Sequence, residues 1–247
     1  VKRLLAVVLL ALGGSGCASE APVTPPPTYA AMSDGEALAL IAERQAKITT
    51  VSEECDLELT DEKGQSVSLD GVLVASPAPP GKLRMQAVKF GQKVFDLTIV
   101  DGKGWVVLPE SGPAAGKFDP AKMPARRVSD AFDLLGASFF RSATPIGGDS
   151  TKLIARGTAL GRDDVVCEID RATLTARRFV VNGREGEPAS ELELDRYTLT
   201  ENGLVWPLRI RLKSPTGEVV LRVRSVELNG ELAPGAFVPP KRAVALP

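Results

Sequence analysis

The chain has 247 residues, 44% of them hydrophobic and 25% charged, with a formal net charge of −1. That composition suits a globular protein of one large domain or two small ones. No basic run is present, which argues against a nucleic-acid binder, and the absence of histidine removes the commonest general base and the commonest zinc ligand.

The first segment is an address rather than part of the fold. Lys2 and Arg3 precede an apolar run over residues 4–12, nine residues long where a bilayer needs about 20. Gly13, Gly14, Ser15 and Gly16 then lead to Cys17. The pattern resembles a bacterial lipoprotein signal peptide, with Gly14 where a leucine is usual. It implies that residues 1–16 are removed and that Cys17 carries diacylglycerol and a further acyl chain such as palmitate. An ordinary secretory signal with a coincidental cysteine is the other reading. Residues 17–32 include Pro22, Pro25, Pro26 and Pro27 and read as an extended tether. A single domain is expected over residues 33–247.

That domain begins with a capping box, Ser33-Asp34-Gly35-Glu36. Leu38, Ile41, Gln45 and Ile48 follow at helical spacing, so a helix is predicted to about Thr49. From Ser52 the period changes to two. Cys55, Leu57 and Leu59 alternate with Glu54, Asp56 and Glu58, and Val67, Leu69, Gly71 and Leu73 form a return strand after the turn at Asp61-Glu62-Lys63-Gly64. Next, Leu83, Met85 and Ala87 alternate with Lys82, Arg84 and Gln86. A reversal at Gly91-Gln92 leads to Phe95, Leu97 and Ile99 on one side of a strand over 94–100. Asp101-Gly102 is a hairpin signal, and a strand containing Trp105 returns.

A long loop is expected over 110–125. A second helix is predicted over 126–141, with Phe132, Leu135 and Phe139 on one stripe, followed by a loop over 142–150. Strands are then predicted over 153–159, 165–170, 175–182, 191–199, 206–213 and 219–228, with Asn202-Gly203 the strongest hairpin signal among them. An antiparallel meander of this length must curl or split.

Catalytic chemistry is not evident. Gly112 to Lys117 imitates a phosphate loop but is one residue short, and Phe118 stands where Ser or Thr belongs. Gly147-Gly148-Asp149-Ser150 offers a serine with no histidine to activate it. The carboxylate pairs Glu53-Glu54 and Asp163-Asp164 are most simply solvated. Cys55 and Cys167 fall on apolar faces of predicted strands, either as a disulfide or, by slight preference, as two buried thiols.

Pro80-Gly81-Lys82-Leu83-Arg84-Met85, Asp101-Gly102-Lys103 with Trp105 close behind, a hairpin opening at Asp170 to Thr175, and the closing Phe237-Val238-Pro239-Pro240 resemble, in order and spacing, the LolA/LolB-like family of periplasmic lipoprotein carriers and receptors. The resemblance covers most of residues 36–242. It implies an α+β, mainly antiparallel fold: a strongly curved half-barrel sheet of about ten strands with two helices covering the concave face. It implies binding of acyl chains, lipids or lipidated proteins in an apolar cavity, with Leu83, Met85, Phe95, Leu97, Phe132, Leu135 and Phe139 as candidate lining residues. No cofactor, metal, nucleic acid or enzymatic activity is implied. Cys17 would attach the protein to the membrane. Ser19, two residues after Cys17, favours the periplasmic side of the outer membrane over the inner membrane. The same apolar stripes equally suit a structural or interaction lipoprotein of the envelope with a filled core and no ligand.

Overall fold

The computed structural model describes residues 23–76, 81–108, 133–159, 162–182 and 190–246. Among them are two helices and thirteen strands in one open, curved antiparallel sheet. The first helix, α1 (Asp34–Ala46), starts as its sequence dictates. Ser33 Oγ accepts from the Glu36 amide at 3.3 Å, and Glu36 Oε2 accepts from the Ser33 amide at 2.9 Å. Two of the amide donors that a helix start leaves unpaired are thereby satisfied. Its apolar stripe, Ala37, Leu38, Ile41 and Ala42, is buried on the sheet.

Seven strands come from consecutive hairpins and one return: β1 (Val51–Asp61), β2 (Ser66–Ser76), β3 (Lys82–Lys89), β4 (Gln92–Val100), β5 (Lys103–Val107), then β11 (Val205–Ser214) and β12 (Gly217–Leu228). The other wing holds β6 (Thr144–Gly148), β7 (Lys152–Ala159), β8 (Arg162–Asp170), β9 (Thr175–Val181) and β10 (Ser190–Leu199). The two-residue β13 (Val244–Ala245) adds to β5, and the order across the sheet is β13-β5-β4-β3-β2-β1-β12-β11-β10-β9-β8-β7-β6. Two strands outside the predicted set account for most of the excess over the expected ten. One is β13. The other is β6, which falls in a stretch read as a loop because Pro145, Gly147 and Gly148 hide its pairing with β7. It is an edge strand, exposed throughout.

The second helix differs from its prediction. Gly136 is extended, with φ −77° and ψ 170°, and α2 (Ala137–Ser142) starts after it. A helix running unbroken to Arg141 is therefore absent. Residues 126–132, and Phe132 with them, lie outside the described residues, as do Cys17 and the stretch from Gly112 to Lys117. Short as it is, α2 buries Phe139 and Phe140, and Phe139 meets Phe140 and Phe179 edge-on, with ring centroids 5.2 Å apart in both pairs. Gly157 on β7 makes this approach possible. A Cβ there would lie 3.0 Å from Ala143 Cα and 3.1 Å from the Phe139 ring.

Two ladders stop short of the sheet's end. The β11–β12 ladder runs from Arg209/Arg222 to Ser214/Gly217, and the β9–β10 ladder covers Arg178/Glu193 to Val181/Ser190. Residues 23–32 lie at the second of these gaps. Thr24 accepts from the Leu199 amide at 2.7 Å and donates to Thr198 Oγ1, while the Tyr29 amide donates to Ala172 O at 2.8 Å. Arg44 of α1 secures this region by donating to Leu174 O and to the Tyr29 hydroxyl.

Candidate functional site

Alternate residues of the strands point to the face that carries α1 and α2. In the β3–β4 hairpin, Met85 lies opposite Leu97, Leu83 opposite Ile99, and Ala87 opposite Phe95. Leu83, Met85, Phe95 and Leu97 are each 2% exposed, Leu135 5% and Phe139 0%. All six belong to one continuous apolar cluster. They do not surround a single point, however. Phe139 sits on Phe179 of β9, and five strands (β2, β1, β12, β11 and β10) separate β3 from β9. Any ligand reaching these side chains must displace what lies over them.

Among the described residues one buried carboxyl stands on this face. Glu53 of β1 is 1% exposed, flanked by Leu73 of β2 and Val226 of β12 in register, with Val51 and Cys55 before and after it on the same side of the strand. Trp206 Nε1 reaches it from β11, past the end of the β11–β12 ladder, and donates to Oε1 at 2.5 Å. The other carboxyl oxygen, Oε2, is buried without a partner. Burial pushes the Glu53 carboxyl up to about 7, against the lowering effect of the Trp206 bond. A solvated position, expected from the Glu53-Glu54 pair, is thus wrong for Glu53, whereas Glu54 is exposed. The signal was available: counting back in twos from Leu57 and Cys55 puts Glu53 on the inner face.

Cys55 and Cys167 are both buried free thiols, and burial raises the pKa of each. Asp149 of the expected Gly-Gly-Asp-Ser stretch shapes the β6–β7 turn. Its Oδ1 accepts from the hydroxyl and amide of Thr151 and the amide of Lys152, which hold it down to about 2. Among the described residues no group of three or more His, Cys, Asp or Glu side chains could hold a metal ion, and no helix is long and apolar enough to cross a membrane.

The opposite face is charged and paired. Arg178 of β9 bridges Glu168 of β8 and Glu191 of β10. Glu193 of β10 takes Lys213 and Arg211 of β11, and Arg211 also holds Glu218 of β12. Arg222 pairs with Glu58 of β1, and Arg224 with Asp56 and Asp70. Beyond them, Asp96 of β4 is 1% exposed and accepts from Arg84, Gln86 and Lys93. Burial alone would raise the Asp96 carboxyl, but the Arg84 and Lys93 bonds outweigh it and hold it below the usual range. Arg84 also donates to Ala236 O, which fastens the C-terminal segment over this spot. At the β3–β4 tip, Phe90 is 88% exposed in a left-handed backbone conformation (φ 52°), with Lys89 Nζ 5.8 Å from its ring centroid. Sequence reading placed the reversal one residue later and passed over this ring.

No protein-family model matches the sequence, and no curated protein sequence does. Solved structures do share the fold. A LolA superfamily protein from Nitrosomonas europaea aligns with a TM-score of 0.57 at 10% identity, covering 84% of this chain and 98% of that one. A Vibrio parahaemolyticus domain described as outer membrane lipoprotein-sorting aligns at 0.56 and 12% identity, over 83% and 95% of the two chains. A DUF1329 family protein from Desulfovibrio piger aligns at 0.55 and 13% identity, over 82% and 95%. The chain is therefore similar in fold to these proteins.

Proposed function

We propose that this protein is a lipid-anchored envelope lipoprotein that binds acyl chains, of lipids or of lipidated proteins, against the inner face of its sheet, without catalysis. The observation that carries the reading is the inner face itself. It is apolar from β5 to β7, whereas the described helices that lie on it have only 13 and 6 residues. At about 1.5 Å per residue those helices span roughly 20 and 9 Å, against a sheet whose strands stand about 4.8 Å apart. Apolar surface that the described helices do not span can take an apolar ligand. The similarity in fold to a lipoprotein-sorting domain supports the same reading.

Leu83, Met85, Phe95, Leu97, Phe132, Leu135 and Phe139 would contact the acyl chain. Cys17 would carry the anchor, and the protein would face the periplasm from the outer membrane. Native mass spectrometry of protein extracted gently from its membrane tests the binding. Co-purified acyl species are expected. Affinity should rise with chain length, by up to about 0.8 kcal/mol per methylene. Cys17→Ser should leave the protein unprocessed or free of the membrane, and unchanged fractionation and mass would refute the anchor.

A second reading, an envelope lipoprotein with a filled core and no ligand, is favoured by the burial of all six described candidate residues. Absence of any bound acyl species, together with no binding across a fatty-acid series by folded protein, would establish it.

A further inference from the structure

The polar exception on the inner face says what kind of acyl ligand fits. Glu53 Oε1 is occupied by Trp206 Nε1, while Oε2 is buried with nothing to bond. Around it β2 presents Leu73, β12 Val226, β11 Trp206, and its own strand Val51 and Cys55. None of these carries charge at neutral pH, since burial keeps the Cys55 thiol protonated. A buried polar atom is costly when unpaired and gains from any partner delivered to it.

We propose that Glu53 is the polar contact of the acyl site, and that the ligand carries an uncharged hydrogen-bonding group, a hydroxyl or an amide, rather than a carboxylate or phosphate. This rests on the acyl-binding reading above and names the ligand class within it. Either protonation state of Glu53 can bond such a group. The ionised carboxylate accepts from a hydroxyl or an amide N–H. The protonated carboxyl donates to a hydroxyl or an amide oxygen. An anionic headgroup beside ionised Glu53 would bring two like charges into apolar surroundings, and one of them would have to take up a proton. Trp206 holds the carboxyl in place from across the β11–β12 gap, so that Oε2 is the oxygen left for the ligand.

The test displaces a fluorescent acyl probe from the purified full chain with dodecanol, dodecanamide and laurate, three ligands of one chain length. At about pH 8 the alcohol and the amide should bind about tenfold more tightly than laurate, the worth of one discriminating hydrogen bond or charge contact. Glu53→Gln keeps an acceptor for Trp206 and removes the charge, so laurate should come within about twofold of the neutral ligands in that variant. Glu53→Leu, with circular dichroism to confirm folding, should weaken the alcohol and the amide. Equal affinities for all three ligands in the wild type, unchanged in both variants, would overturn the role of Glu53 while leaving acyl binding intact. Failure of the probe and all three ligands to bind would overturn both.

Discussion

On the inner face Met85 lies between Leu73 and Leu97, and one residue away on the outer face Arg84 clamps Asp96. The same strands supply both surfaces. Inside, the neighbours are shape-matched hydrocarbon with one carboxyl among them. Outside, arginines, lysines and carboxylates pair from β8 to β4, half in water. Apolar burial is non-directional and scales with area, whereas a half-exposed ion pair contributes little after solvent screening and side-chain ordering. The inner face therefore supplies most of the stability, and the outer face meets the water.

The comparison breaks first at Phe139. Phe139→Ala removes the ring between Phe140 and Phe179, at a cost of about 3–5 kcal/mol, which urea denaturation monitored by circular dichroism would read. Next comes Glu53, where the sign depends on pH. Its carboxyl has an ordinary value of 4.5 and a folded value of about 7. Between these the folded chain holds a proton that the unfolded chain has released. Stability is highest below the lower value and falls as pH rises through the upper one, by about 3 kcal/mol in all. Glu53→Gln should flatten that part of the pH–stability curve, and an unchanged slope would contradict the burial of the carboxyl.

Asp96 is the outer face's exception, buried like an inner residue. Asp96→Ala should cost about 2–3 kcal/mol at neutral pH, because it strips Arg84, Gln86 and Lys93 of a shared acceptor. Since its folded pKa is depressed, the contribution is present above the ordinary carboxylate value and is lost as pH falls through the folded one. The smallest effect belongs to the open ladder. Arg211→Ala should cost no more than about 1 kcal/mol, less in high salt. A larger loss would mean that the outer face contributes more to stability than its exposure suggests.

Much of this was legible in the chain. The capping box put α1 within a residue of its start, and alternation in Leu83, Met85 and Ala87 marked both the strand and its inward side. Asp101-Gly102 and Asn202-Gly203 are turns, as their chemistry requires. What escaped notice has physical causes. β6 has too few alternating side chains to show a period. Gly136 interrupts a stripe that looked helical because Leu135 and Phe139 are four residues apart. Glu53 was misread through its neighbour, since a Glu-Glu pair looks solvated until the strand's phase is carried through it. Phe90 was overlooked because an apolar residue between two strands is ordinarily absorbed into one of them.

An open sheet, unlike a closed barrel, has two borders where backbone donors and acceptors could recruit another strand. Here both borders are poor templates. β13 is two residues long, and β6 contains Pro145, which has no amide hydrogen, with an irregular register between Pro145 and Gly147. Copies of this protein crowded side by side would find no long, flat ladder to extend. The fold can thus keep an unclosed sheet without the chain-to-chain β addition that an unguarded edge invites.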